Sequence, residues 1–244
     1  MTPVIAEPRL RNPLMRLGVA VSERIVGRRL TIARLLAWSP RVAIGAGLLE
    51  ATTPVPGPGL PERTLKLARL TASLTVNCAF CLDMNASGHR RAGISDEEVY
   101  ALRDGRASAA DGFSPDELLV IAYARGMSAT PIDIDDEIRD AMAATFGERR
   151  LVELASAIAA VNHWARLAQA LDVPPAGFGD HCLAGGQPTD APRPRQPGDA
   201  PHPGRPADPH PGRPEDLPHP GQPEDAPPAR QPGERPRPGT EDAS

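Results

Sequence analysis

The segment from Pro61 to Val76 constrains the fold more than any other. Leu65, Leu67, Ala68, Leu70, Ala72, Leu74 and Val76 put apolar side chains on most sides of a helix, and such a helix is stable only when other elements cover it. Pro61 suits a first helical position, with Glu62 beside it at the positive end of the dipole. One polar stripe interrupts the apolar surface. Glu62, Lys66, Arg69, Ser73 and Asn77 succeed one another at spacings of four, three, four and four residues, which places them on a single face. The stripe reads either as a solvated face or as a polar wall leading to the next element.

The next element opens with Asn77-Cys78-Ala79-Phe80-Cys81-Leu82-Asp83-Met84-Asn85, which carries two of the three cysteines. If both cysteines are helical, their sulfurs share a face within disulfide reach. A thiolate is favoured at a helix N-terminus, and next to a second thiol it supports reversible two-electron chemistry. Two other readings stay open. The pair could supply half of a zinc site completed by His181 and Cys182, although those two are adjacent where a zinc site normally has a second spaced pair. The cysteines could also pack as small hydrophobes with no redox role. No metal and no cofactor is expected.

The remaining segments read as helices and breakers. Residues 1–28 form an arm with one short helix from Leu14 to Ile25, and helices come next from Arg29 to Trp38 and from Pro40 to Ala51. Thr53-Pro54-Val55-Pro56-Gly57-Pro58-Gly59 is a loop no helix can cross. The cysteine helix is expected to run from Cys78 to Arg91 with Gly93 as its cap. Ser95-Asp96-Glu97-Glu98 is a capping box opening a helix to Arg103, and Ser114-Pro115-Asp116-Glu117 opens the next, with a core face of Leu118, Ile121, Ala122, Arg125 and Met127. Asp135 caps a helix from Asp136 to Phe146 that ends at Gly147, and the longest helix runs from Glu148 to Leu171 with Leu151, Leu154, Ala155, Ile158, Val161, Trp164 or Ala165, and Ala168 as its apolar positions. No segment alternates with a period of two, so the fold class is all-α, a multi-helix bundle.

From Gln187 to Ser244 the composition changes. There is no aromatic residue and a single leucine, Leu217, among many Pro, Gly, Arg, Asp and Glu residues, with a repeated unit at His202, His210 and His219. Such a segment cannot bury enough apolar surface to offset its ordering entropy and is expected to be a disordered tail. The tail has seven arginines against ten acidic residues, so it accounts for −3 of the net charge of −4 and leaves the rest close to neutral. Neither a nucleic-acid nor a membrane partner is expected from that balance. With no apolar run suited to a signal peptide, a cytoplasmic setting is expected, where a Cys-x-x-Cys pair is catalytic or metal-binding more often than a permanent crosslink.

The run Leu60-Pro61-Glu62-Arg63, the cysteine motif from Asn77 to Asp83, and Arg91-Ala92-Gly93-Ile94-Ser95-Asp96-Glu97-Glu98-Val99 resemble the carboxymuconolactone decarboxylase-like family. Within it the cysteine pair resembles the alkylhydroperoxidase D branch. Phe113 to Glu117, Ala122-Tyr123-Ala124, Thr130-Pro131 and Leu171 to Phe178 agree, so the resemblance covers residues 29–178 and the domain is placed at 29–180. It implies an alkylhydroperoxidase D-like helical fold and homo-oligomers such as trimers or hexamers. It also implies peroxiredoxin-type reduction of a hydroperoxide by Cys78 and Cys81, with an unknown thiol reductant closing the cycle. The family's peroxidases use a Glu twelve residues before the first cysteine and a His four after the second as a proton relay. Here those positions hold Lys66 and Asn85, so the expected activity is weakened. The helix dipole favours Cys78 as the attacking thiol and the resemblance favours Cys81. Lys66 can lower a thiol pKa as a nearby cation, while Asn85 can hydrogen-bond but cannot take a proton. His89, about 12 Å further along the axis, is too far to serve Cys81, and His163 on the longest helix is a candidate base. The alternatives are a non-catalytic oligomeric scaffold of the same family and a carboxymuconolactone decarboxylase-type lyase, a reaction that needs no dithiol.

Overall fold

A computed structural model describes residues 2–178. Within them the chain forms α1 (Pro13–Val26), α2 (Thr31–Leu36), α3 (Pro40–Thr52), α4 (Glu62–Thr75), α5 (Ala79–Ala86), α6 (Asp96–Arg103), α7 (Pro115–Ser128) and α8 (Asp136–Ala170), with one 3-10 turn at Ala109–Asp111. No β-strand occurs among the described residues; a lone bridge joins Gly57 and Leu60. The fold is all-α, as the periodicity predicts. The tail from Gln187 and the alternative zinc ligands His181 and Cys182 lie outside the described residues.

The apolar helix α4 is the centre. It packs against α5, α6, α7 and α8, and Leu67, Ala68, Leu70 and Ala72 are fully buried. Its two sides serve two core clusters. Leu65, Ala68 and Ala72 join Val120, Leu154, Ile158 and both cysteines, whereas Leu67 and Leu70 join Ile94, Val99, Leu102, Phe113 and Ile121. A helix apolar on one stripe alone could not separate two clusters. Helix α8 is broken at Gly147, whose φ of 68° and ψ of 170° are not helical, so the two helices read in the sequence meet where expected. The second half buries Leu154, Ile158, Val161, Ala165 and Ala168; at the Trp164/Ala165 position the alanine is the core residue and the tryptophan is only partly covered.

Both serine capping boxes form. Ser95 Oγ accepts the Glu98 N–H at 3.1 Å and Ser114 Oγ accepts the Glu117 N–H at 3.2 Å, while each glutamate accepts its serine's N–H in return. Two expectations need correction. Of the expected face of α7, Ile121 is buried and Leu118 and Met127 pack partly buried against the core clusters, but the helix also buries Val120, Ala124, Gly126 and Ser128. It lies between α4 and α8 and is covered on two sides, so its buried surface is wider than a single stripe. The cysteine helix also ends earlier than Arg91, at Ala86. Ser87 turns to ψ 129°, Gly88 takes a positive φ of 73°, and the Ser87 carbonyl, freed from the helix, accepts a hydrogen bond from Lys66 Nζ at 2.8 Å.

Candidate functional site

Asn77, with a positive φ of 50°, turns the chain sharply between α4 and α5. The turn is held from α8, where Gln169 Nε2 donates to the carbonyls of Val76 at 2.8 Å and Asn77 at 3.2 Å. Cys78 is therefore extended, not helical (φ −97°, ψ 104°), and serves as the N-cap of α5. Its sulfur accepts the Cys81 N–H at 3.1 Å, the bond a serine oxygen makes at an ordinary N-cap. Cys78 and Cys81 form a disulfide with their Cα atoms 5.2 Å apart. Both are buried, at 2% and 3% exposure.

The polar stripe of α4 is not a solvated face along its middle. Glu62 and Asn77 reach water at the two ends, but Lys66 and Arg69 are half-buried and Ser73 is fully buried. Lys66 donates to the Ser87 carbonyl and Arg69 to the Pro54 carbonyl at 2.6 Å. Ser73 Oγ donates to the Arg69 carbonyl and accepts Asn85 Nδ2 at 3.0 Å, and Asn85 Nδ2 also donates to the Cys81 carbonyl at 3.0 Å. Lys66, Asn85 and the cysteine pair thus line one seam between α4 and α5. Burial lowers the pKa of Lys66, and the positive charges of Arg69 and Arg91 push it the same way, against a smaller opposing effect of Glu62. Burial also lowers that of Arg69, opposed by Glu50.

The histidines lie elsewhere. The His89 ring nitrogens sit 2.8 Å from the Ala86 carbonyl and 2.7 Å from the Asp96 carboxylate, so that ring locks the end of α5 against the start of α6. His163 is exposed, with its ring edge-on to Trp164, while the cysteines are buried. No group of three or more metal-ligating side chains occurs among the described residues.

Two groups that support the site are not evident from local pattern. Asp83, buried in α5, accepts the backbone N–H groups of Ala176 and Gly177 at 2.8 and 2.7 Å, which lays the segment after α8 across the cysteine helix. An acidic residue inside an otherwise apolar helix is the one sequence signal for such a bond. Arg63 on α4 pairs with both capping glutamates, Glu98 and Glu117, and donates to the Gly93 carbonyl.

An all-helical domain with a buried Cys-x-x-Cys disulfide at a helix N-terminus is what fold and site define. Residues 45–126 match the sequence model of the carboxymuconolactone decarboxylase family. The uncharacterized protein YnjA of Escherichia coli K12 is 35% identical over 101 residues, which cover 41% of this chain and 54% of YnjA. The match thus spans about half the length of that relative. The uncharacterized protein YdfG of Bacillus subtilis is 27% identical over 109 residues, covering 44% of this chain and 73% of its own. Among solved structures, the debrominase Bmp8 in complex with 2,3,4-tribromopyrrole superposes with a TM-score of 0.57 at 19% identity, over 70% of this chain and 91% of its own. A protein of unknown function from Agrobacterium tumefaciens, a putative antioxidant defence protein AhpD by its description, superposes with a TM-score of 0.51 at 23% identity, over 61% and 97%. At these identities the two structures establish a shared fold, the AhpD-like helical fold.

Proposed function

We propose that the chain is a thiol–disulfide oxidoreductase of peroxiredoxin type, in which Cys78 and Cys81 reduce a hydroperoxide without a Glu/His relay. The observation that carries this reading is the disulfide formed from an N-cap position, with the Cys78 sulfur accepting the Cys81 N–H. The same hydrogen bond and the helix N-terminus stabilise a thiolate on reduced Cys78. One cysteine thiolate attacks a peroxide oxygen, the O–O bond breaks, and the alkoxide leaves as the alcohol after taking a proton. The resulting sulfenic acid is attacked by the second thiol, water leaves, and the disulfide forms. An external dithiol, as the cytoplasm supplies, then restores the pair. Lys66 helps to hold the thiolate by charge and Asn85 positions the Cys81 carbonyl, while His163, exposed beside Trp164 and away from the buried pair, is given no role.

Without a proton relay, turnover should be slow. In the full chain, Lys66→Glu with Asn85→His should raise hydroperoxide consumption on the order of a hundredfold, the usual size of a general acid–base contribution. Thiol alkylation against pH should also show one cysteine reacting below the free-cysteine value of about 8.5. Tribromopyrrole, the compound bound in the debrominase structure, is a second electrophile for the same assay. The burial of both sulfurs favours a second reading, a structural crosslink in a non-catalytic scaffold. That reading takes over if neither alkylation below about 8.5 nor any turnover above a Cys81→Ser control is observed.

The exposed apolar side chains favour a homo-oligomer. Leu14, Leu17, Val21 and Ile25 lie along one face of α1, and α3 exposes Val42, Ile44 and Leu48 with Ala46 as its one buried residue. Contiguous exposed apolar surface of this kind marks a contact with another chain, and a second copy is the simplest occupant.

A further inference from the structure

Lys66 and Arg69 are half-buried cations, three residues apart on one face of α4, and among the described residues neither forms an ion pair. Glu62 and Glu50 act on them through space only, and Glu50 is engaged by the Trp164 indole N–H at 3.1 Å. Each cation satisfies one backbone carbonyl, which uses one of the three donors of a lysine and one of the five of an arginine. Capping a carbonyl does not require a charge, and a charge withdrawn from water without a counterion is costly. Of the other half-buried arginines bridging helices, Arg34 and Arg63 are paired with glutamate, and Arg125 stands singly, donating to the Leu102 carbonyl at 3.2 Å; Lys66 and Arg69 differ in being two such cations one turn apart on the same helix.

The position of the two cations is as informative as their lack of partners. Ser73, one and two turns further along α4, binds Asn85, which binds the Cys81 carbonyl. At 1.5 Å per residue, Arg69 lies about 6 Å and Lys66 about 10 Å along the axis from that level. The seam therefore has a cationic end and a redox end, separated by the length of an aromatic ring with its substituents.

We propose that Lys66 and Arg69 form an anion-binding site, and that the electrophile reduced by Cys78 and Cys81 is an organic acid whose carboxylate or equivalent anionic group sits between them. This rests on the redox reading for its second half but not for its first.

Two measurements separate the halves. In the oxidised full chain, benzoate should bind at least tenfold tighter than benzamide by calorimetry or NMR titration, and Lys66→Met with Arg69→Met should abolish the preference while Lys66→Arg keeps it. Equal affinity for the two ligands, or a preference unchanged in the double variant, overturns the anion site whatever the cysteines do. In the reduced chain, a thiolate attacks the S–S bond of an aromatic disulfide, one aryl thiolate leaves, and the second cysteine displaces the other aryl thiolate as Cys78–Cys81 forms. The dicarboxylate 5,5′-dithiobis(2-nitrobenzoate) is compared with neutral 4,4′-dithiodipyridine. The ratio of their rates cancels the thiolate fraction and reads the local charge. It should fall about tenfold in the double methionine variant, and in the wild type it should fall as salt rises. A ratio that moves with neither overturns the assignment of an anionic substrate. If the thiols react with neither reagent while benzoate is still preferred, the redox reading fails and the anion site stands.

Discussion

Replacing Arg63 by methionine should convert an acid-sensitive contribution to stability into an alkali-sensitive one. Arg63 is the shared counterion of two capping glutamates, bonding Glu117 Oε1 through Nε at 2.6 Å and Glu98 through its terminal nitrogens. Its side chain is 24% exposed, with Glu98 at 10% and Glu117 at 14%. Glu98 raises the Arg63 pKa most, followed by Glu117. For both glutamates burial opposes the charge, but hydrogen bonds from Arg63 and from the capping serines outweigh it, and the net shift is downward. In the wild type the folded state thus binds fewer protons than the unfolded chain around pH 3–5. The stabilisation is present above the ordinary glutamate value of about 4.3 and is lost as pH falls through the lowered folded values. Methionine keeps the apolar stem and removes the charge. Burial then dominates, the glutamates repel each other, and their folded pKa values rise above the unfolded value, so this contribution becomes more favourable on acidification. Breaking a buried pair by removing one partner costs about 3–5 kcal/mol. With a quarter of Arg63 in water, about 2–4 kcal/mol is expected at pH 7, and roughly half of that at pH 4, where the variant's glutamates are protonated. Urea denaturation of both proteins followed by circular dichroism at the two pH values measures this, and the difference between them cancels all other titrating groups. A penalty below about 1 kcal/mol at pH 7, or one as large at pH 4 as at pH 7, would refute the reasoning.

Asp83→Ala should destabilise the domain by about 2–4 kcal/mol in the same assay, because the N–H groups of Ala176 and Gly177 lose their acceptor beneath the chain; limited proteolysis should then cut within residues 174–178 faster than in the wild type, and an unchanged rate there would count against it. Leu48, 62% exposed on α3, should belong to the homo-oligomer contact, so Leu48→Asp should lower the mass found by light scattering at micromolar concentration, and a wild-type monomer would sink that idea.

The parts of this structure that depend on near neighbours are legible in the sequence. The two capping boxes, the break at Gly147, the all-round apolar helix α4 and the placement of Cys78 beside a helix N-terminus all come from residues within a turn or two of one another. The features that escape are set by partners far away in the chain. Periodicity carries the cysteine helix past Gly88 to Arg91, although Gly88, with its positive φ of 73°, is itself a local stop signal; the early end also involves Lys66, 21 residues back, taking the Ser87 carbonyl. Nothing local to Arg63 marks it as a shared counterion; that role comes from Glu98 and Glu117, 35 and 54 residues on. Asp83 finds its donors 93 and 94 residues later. The polar stripe is the intermediate case: its spacing is plain, but only the packing of α5 and of the loop at Pro54 decides that its centre is covered.

That covered centre ties Lys66 and Asn85 together. A glutamate at position 66 would stand one turn from Arg69 and could pair with it, leaving the seam near neutral and able to pass a proton. Lysine there places two positive charges side by side, at an electrostatic cost that an anion relieves and a relay does not. Asn85 fits the same logic, since Nδ2 donates to Ser73 and Cys81 and no group on it titrates at neutral pH. The two properties should therefore trade against each other in a single protein. Lys66→Glu with Asn85→His should speed reduction of a neutral hydroperoxide while it removes the preference for benzoate over benzamide. If the double variant gained turnover and kept its benzoate preference undiminished, Lys66 would not be part of the anion site, and Arg69 alone could not sustain the assignment.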